Sequence, residues 1–395
     1  MTDIIVLGAG MVGVSTALAL LERGHDVTLV DRQQPGQETS YGNAGIIQAE
    51  AVEPYAFPLD PRALFAIATG RTNDVAYRVS DLRHWATPAL RYAWHSRPTS
   101  YRAKVIPPWS EMIRSATRDH AALIAAAGAD DLITRRGFRQ GYRSARALEK
   151  AAKAADRLRA RFGVGSALMD GNTLSQSEPG LRLAMAGAIH WTDAWTCSDP
   201  GELVQRYAEL FRARGGRVAI GAADAIEKRG SAWSFQNQEC KLYADQLVVC
   251  LGPWSPAFLR QFGHNFPMVL KRGYHQHFAV ENGPRLPFMD VASGTVMSPM
   301  RQGLRVLTGA ELAAPDAAPG NAQIGRSVAA ASELFDVSEP FESKPWIGTR
   351  PCMPDMLPVI GRSDRDKKLW FNFGHGHQGF TLGPTTARIF ADQFS

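Results

Sequence analysis

Ile4-Ile5-Val6-Leu7-Gly8-Ala9-Gly10-Met11-Val12-Gly13 is the stretch on which the reading of this chain turns. Four apolar residues, too few for a helix, run into a turn with glycine at its first, third and sixth positions. That is the pattern of a strand delivering the backbone into a phosphate-binding turn. Over 12–23 the period becomes helical, with Val12, Ala19 and Leu20 among the apolar positions, and Gly24 stands where the helix would stop. Residues 27–30 return to strand character, and Asp31 sits at the carboxyl end. Gly8 makes the tight turn, Gly10 lets the main chain approach a pyrophosphate, and Gly13 lets helix and strand pack closely. The helix N-terminus offers free N–H groups and a positive dipole end, and Asp31 can accept hydrogen bonds from a ribose hydroxyl pair while repelling a 2′-phosphate. The combination predicts a dinucleotide site. A glycine turn without a ligand would account for Gly8 and Gly13 but not for Gly10 together with Asp31.

The 395 residues suffice for two domains with substantial cores or one large intertwined unit. A formal charge of +6 is mildly basic, and Lys and Arg are dispersed except over 150–161. There Ala151, Ala154, Ala155, Leu158 and Phe162 share one helical face and leave the cations on the other, a solvated face rather than a nucleic-acid site. A weak attraction to anionic headgroups stays open. Cys197, Cys240, Cys250 and Cys352 show no metal-ligand spacing, so unpaired thiols in a reducing cytoplasm are expected and no metal is assigned. The N-terminus enters a strand at once without a basic leader, and no run of eighteen apolar residues occurs. The expectation is a cytoplasmic protein, at most peripheral to the inner face of a membrane, with oligomerisation open.

Beyond Asp31, a surface turn at 32–36 leads to Ser40-Tyr41-Gly42-Asn43-Ala44-Gly45, small residues fit to run beside a flat ligand. Scattered helices are expected over 53–109, a longer helix over 110–127, a strand within 132–142, the basic helix over 145–162 and a short strand over 187–191. Asp199, Pro200 and Glu202 read as cap, first and third positions of a helix whose apolar face is Leu203, Tyr207, Leu210 and Phe211. Gly215 ends that helix, and 217–220 forms a strand returning to the nucleotide sheet. A second strand-to-glycine junction lies at 247–255. Strand-like stretches at 267–280, 295–300 and 304–312 suggest an antiparallel sheet outside that domain, and 321–335 is helical. The tail repeats the opening logic, with a strand at 369–373, a glycine turn at 374–379 and a final helix.

GAGMVG at 8–13 with Asp31, SYGNAG at 40–45, VVCLGPWS at 248–255, GTRPCMPDMLPVIG at 348–361 and FGHGHQG at 373–379 together resemble the flavoprotein family of D-amino-acid dehydrogenases, glycine oxidase and sarcosine oxidase. The resemblance spans essentially the whole chain. It implies an α/β fold in which a Rossmann-like FAD-binding domain (1–50, 193–263 and 340–395) carries a second α+β substrate domain on an antiparallel sheet (51–192 and 264–339). It also implies extended FAD, the adenine end at the first motif and the flavin beneath the last. Cofactor contacts are then expected from Gly8, Gly10, Met11, Val12, Gly13, Asp31, Arg32, Ser40, Asn43, Ala44, Gly45, Ile46, Gly252, Trp254, Gly376, His377, Gln378, Gly379, Phe380 and Thr381. The helix after Gly379 would aim its positive end at the flavin's pyrimidine edge, which gains negative charge on reduction.

By the same resemblance Arg350, in the RP pair, is the substrate residue: a guanidinium holds a carboxylate by two parallel hydrogen bonds and fixes the α-carbon over the flavin. Tyr274 is a further candidate, its hydroxyl meeting the substrate or its ring packing in the sheet. His375 and His377 are read as flavin or substrate contacts, with His377 grouped among the catalytic residues, and His275 and His277 as a pocket wall. Sarcosine oxidases tether flavin to a cysteine upstream of an acid. Here Arg350 holds that neighbourhood and Cys352 lies too close to Asp355, so non-covalent FAD is expected. The histidine-rich last turn resembles that of relatives acting on D-hydroxyproline, D-proline or glycine. The function implied is FAD-dependent oxidative deamination of a D-amino acid, D-proline and D-hydroxyproline among the candidates, by hydride transfer from the α-carbon to flavin, with a quinone, a partner electron carrier or oxygen as acceptor. The alternatives are a glycine- or sarcosine-type oxidase, an NAD-dependent dehydrogenase and a non-catalytic flavin-binding subunit.

Overall fold

The run Asp3–Leu7 is the inner strand its apolar residues require. Alternate side chains leave opposite faces of a strand, so Ile4 and Val6 enter one core and Ile5 and Leu7 another. The computed structural model describes residues 2–69, 73, 75–238 and 241–394. Cys240, counted above among the unpaired thiols, lies outside them. Asp3–Leu7 pairs in parallel with Asp26–Asp31 on one side and with Gln246–Val249 on the other. The six-stranded sheet runs in the order Arg217–Ile220, Asp26–Asp31, Asp3–Leu7, Gln246–Val249, Leu369–Phe373 and Val359–Arg362. Its last pair is antiparallel.

One face of this sheet is covered by helices. Met11–Glu22 and Gly379–Gln393 pack against each other over it, joined by Pro200–Ala213, with Val14, Leu18, Tyr207, Phe211 and Phe390 buried between. The opposite core is closed by Trp233, Phe235, Phe371 and Phe373. The first two come from a three-stranded antiparallel sheet, Ile226–Arg229, Ala232–Gln236 and Lys241–Ala244, that the sequence reading does not anticipate. Burying side chains of this size contributes about 2 kcal/mol each, so the two cores fix the head and tail of the chain side by side.

The larger sheet has eleven strands and is antiparallel except where Phe288–Asp290 meets Phe138–Tyr142 and Ala310–Leu312 meets Val75–Tyr77. Its spine is Val269–Val280, which pairs with Gly303–Leu307, Ala310–Leu312, Val337–Pro340 and Trp346–Cys352. Trp346–Cys352 falls in the segment assigned on the sequence to the nucleotide part, yet it hydrogen-bonds in this larger sheet. Its two glycine and proline interruptions, at Gly348 and Pro351, hide an ordinary strand pattern.

Local signals hold where their chemistry is explicit. The Asp199 carboxylate accepts from the Glu202 N–H at 3.0 Å and opens Pro200–Ala213. Ala145–Phe162 starts at the Ser144 cap and ends at Gly163, whose φ is +73°. The strand expected within 132–142 is two strands, Ile133–Thr134 and Phe138–Tyr142. Gly137 breaks it at φ +72°, where any Cβ would collide with the Trp191 carbonyl. The helix expected at 110 begins earlier, as Ile106–Ala126, because Pro107 and Pro108 occupy its first turn and need no donor there.

Candidate active site

A cavity of about 470 Å³ opens between the carboxyl ends of the parallel strands and one face of the larger sheet. Leu7, Asp31 and Cys250 mark the strand ends, and Tyr274, Leu307, Trp346 and Arg350 come from the facing sheet. Ligands of open α/β sheets bind at this edge.

At the first motif Gly8 and Gly13 are required by close packing. Gly8 has φ +109° and sits where a Cβ would strike the Cys250 carbonyl. A Cβ at Gly13 would strike the Gly8 carbonyl oxygen, so helix and strand touch there. Asp31 accepts from the Ala9 N–H at 2.6 Å and the Gln33 N–H at 3.0 Å, and burial raises its pKa against those bonds. Its carboxylate thus braces the glycine turn while it also lines the cavity. Arg32 pairs with Glu38 at 2.6 Å and lies 4.5 Å over the Trp254 ring, walling the same end. Ser40 reaches closer to this turn than expected: its Oγ accepts from the Met11 N–H at 3.0 Å, at the N-terminus of Met11–Glu22. Gly42 meets the Trp346 ring, so the small residues of 40–45 are used partly for that indole.

At the far end, Arg350 leaves the strand Trp346–Cys352 over Gly273, where a Cβ would come within 2.7 Å of its guanidinium. Its N–H groups donate to the carbonyls of Gly309 at 3.0 Å and Thr308 at 3.3 Å. Among the described residues no carboxylate pairs with it, and burial holds its pKa below the usual arginine value. Tyr274 is among the residues at the cavity, but its hydroxyl is bonded to Glu311 and to Arg272, the latter at 2.7 Å, on the sheet face away from Gly273 and His275. Glu311 is itself held by Arg272 and Arg78. The tyrosine hydroxyl is therefore fixed within the sheet rather than left for a ligand.

The histidines separate into two kinds. His377 lines the cavity, its Nε2 buried without a partner, and burial followed by the charges of Lys271 and Arg350 lowers its pKa to about 3. His375 lines it too, but donates or accepts at Thr386 Oγ1 over 2.9 Å and packs inside. His275 stacks on Trp346 with ring centroids 4.8 Å apart, burial lowering its pKa to about 2. His277, expected as a wall, stands behind His275, bonded to Glu342 and to Arg305. The strand alternation puts both rings on one face, but the depth of the sheet leaves only the first at the cavity.

Of the positions expected at the cofactor, Gly8, Gly10, Met11, Val12, Asp31, Arg32, Ser40, Asn43, Gly252, Trp254, Gly376, His377, Gly379 and Phe380 line the cavity. Gly13, Ala44, Gly45, Ile46, Gln378 and Thr381 do not. They support the lining from behind: Thr381 Oγ1 accepts from the Gln48 N–H, and Gln378 donates to Gln48 Oε1 at 2.6 Å. The sequence reading missed Trp346, His275 as a stacked ring and the loop 221–224 after the strand Arg217–Ile220. The last had a signal, since residues just past a strand of a nucleotide sheet face its ligand edge.

The cavity is long enough to join the glycine turn to Arg350, and it receives the N-termini of both Met11–Glu22 and Gly379–Gln393. That arrangement fits a flavin dinucleotide, with pyrophosphate at one helix end and an electron-accepting ring at the other.

Comparison with known proteins agrees. A D-amino-acid oxidase of Bradyrhizobium diazoefficiens is 29% identical over 99% of this chain and 94% of its own length. A D-amino acid dehydrogenase of Cereibacter sphaeroides is 30% identical over 98% of this chain and 91% of its own. Glycine oxidase from Bacillus cereus has the same fold, with a TM-score of 0.72 at 19% identity, covering 99% of this chain and 94% of that one. The model of the FAD dependent oxidoreductase family known as DAO matches residues 3–393. Head, tail and cavity thus meet the same requirement as the family match, and the chain belongs to the DAO family of FAD dependent oxidoreductases, with FAD as its cofactor.

Proposed function

We propose that the protein is a D-amino-acid dehydrogenase or oxidase in which Arg350 holds the substrate carboxylate. The observation that carries this is a half-buried guanidinium without a carboxylate partner among the described residues, in the same cavity as the dinucleotide turn. Two of its N–H groups are anchored on the Gly309 and Thr308 carbonyls, and the remaining donors are available to an anion. FAD, when bound, accepts the hydride that leaves the α-carbon. The chain's own part is orientation and exclusion of water. His377, neutral because its pKa is about 3, sits beside Arg350 without repelling an amine. Among the described residues no carboxylate lines the cavity's Arg350 end, which supports a substrate amine that enters unprotonated. Tyr274 acts through Arg272 and Glu311 as a positioning residue that stiffens the strand carrying Gly273.

The names of the full-length relatives support the D configuration. The site would hold flavin without a covalent bond, and a quinone, a partner carrier or oxygen would serve as the electron acceptor. No helix among the described residues is long and apolar enough to cross a membrane. Leu82–His95 nevertheless exposes Leu82, Leu90 and Trp94 beside Arg83 and Arg91 and contains no acid. That face supports peripheral contact with an anionic membrane. Co-sedimentation with vesicles containing anionic lipid tests it, and equal recovery with neutral vesicles counts against it.

The deciding experiment is anaerobic bleaching of the visible flavin absorbance by D- and L-amino acids, both prolines, the hydroxyprolines, glycine and sarcosine. Bleaching by D-amino acids is the expected outcome. Bleaching by glycine or sarcosine alone would favour the amine-oxidase alternative, and none at all a non-catalytic subunit.

A further inference from the structure

Beside the main cavity lies a smaller lobe of about 30 Å³ lined by Tyr55, Tyr92, Trp109, Lys271 and Met356, among others. It shares Gly374, His375, Gly376 and His377 with the main cavity, so the two adjoin along those four residues. Lys271 is the directly opposed antiparallel partner of Arg350. Opposed residues leave the same face of a sheet, with Cβ atoms about 5 Å apart.

From that common origin the two cations diverge. The Arg350 guanidinium leans over Gly273 toward Gly309, and the Lys271 ammonium lies 4.3 Å from the centre of the Tyr92 ring. Tyr92 is buried and its hydroxyl is tied to the Tyr55 carbonyl, so the ring is a fixed rest for the ammonium. His377 feels both charges from above. Among the described residues no acid forms an ion pair with either cation. Two partly enclosed cations on one face, each without a counter-ion, repel each other, and an anion that reaches both relieves that cost.

We propose that Lys271 is a specificity-determining residue that selects amino acids bearing a second carboxylate. This rests on the reading of Arg350 as the anchor of the first. The α-carboxylate meets the guanidinium, and the side-chain carboxylate enters the lobe to meet the ammonium. A lysine suits that end because a point charge accepts a carboxylate in several orientations, whereas the fork at Arg350 fixes one. Tyr92 and Trp109 then flank the methylene groups between the two charges.

The test uses the FAD-loaded protein and needs no turnover. Glutarate, a dicarboxylate, and butyrate, a monocarboxylate of similar length, are titrated while the visible flavin spectrum is followed. Glutarate is expected to bind about 30-fold more tightly. Lys271→Met should abolish the difference and Lys271→Arg should retain most of it. In steady state, the ratio of kcat/KM for D-glutamate to that for D-alanine should fall about 30-fold in Lys271→Met. Equal binding of the two acids by the parent protein, or a preference for D-phenylalanine that Lys271→Met leaves in place, overturns the proposal. If neutral D-amino acids bleach the flavin while D-glutamate and D-aspartate do not, the second-carboxylate inference fails and the amino-acid reading stands. If no amino acid bleaches it, the underlying reading fails.

Discussion

Replacing Arg350 by Met removes one charge and keeps most of the volume, and the structure sets the size of the effect. The guanidinium is half-buried and unpaired by any acid among the described residues, so part of its desolvation is met in the folded state before substrate arrives. The incoming carboxylate then gains nearly the full attraction. At about 4 Å and an effective dielectric constant of about 20, that attraction is about 4 kcal/mol, or about a thousandfold in kcat/KM. Arg350→Lys keeps the charge but loses the fork clamped by Gly309 and Thr308, and should recover about tenfold of that loss. Flavin content must be measured in the same preparations from the visible absorbance, because Arg350 also lines the shared cavity. A kcat/KM within about threefold of the parent's, at full flavin content, would refute the assignment.

Three other outcomes follow from particular contacts. Gly13→Ala places a Cβ against the Gly8 carbonyl oxygen, a backbone group that cannot swing aside; a loss of about 3 kcal/mol is expected, seen as a lower Tm and nearly colourless protein, and a yellow variant of parental Tm contradicts the packing argument. Glu50 is buried with Oε1 bonded to Gln48 at 2.7 Å and Oε2 unpartnered, and burial raises its pKa to about 7. The folded protein therefore holds a proton that the unfolded chain releases near its ordinary value of 4.5, so stability falls as pH rises from there to about 7. The shift corresponds to about 3 kcal/mol, and Glu50→Gln should raise Tm at pH values above 7 but not below 4.5; equal effects at both ends would show that the carboxyl is not the cause. Finally, acid precipitation should leave all flavin in the supernatant, and yellow pellets would indicate a covalent tether.

The opening βαβ unit was legible because every requirement is local. Gly8 needs its positive φ, Gly13 its missing Cβ and Asp31 its place at a strand end, and all three are visible within thirty residues of text. The helix cap at Asp199 was readable for the same reason. What escaped depends on pairings distant in sequence. Trp346–Cys352 reads as a proline-broken loop until Val269–Val280 lies beside it. Gly42 reads as room for a flat ligand until the Trp346 ring is seen to fill the space above it. Tyr274 could not be assigned from its own neighbours, because Glu311, which takes its hydroxyl, lies on another strand. His275 and His277 share a strand face by simple alternation, but which one reaches the cavity is decided by Arg305 and Glu342 behind them.

The order of strands in the six-stranded sheet has a consequence for biosynthesis. Gln246–Val249 and Leu369–Phe373 must both be in place before the wall opposite Gly8 is closed. The last helix, Gly379–Gln393, supplies Gly379 and Phe380 to that wall. While this helix is still inside the ribosome tunnel, the nascent chain presents a phosphate turn with no lid. The coenzyme site as the folded chain presents it is therefore complete only once the last helix has docked beside the first.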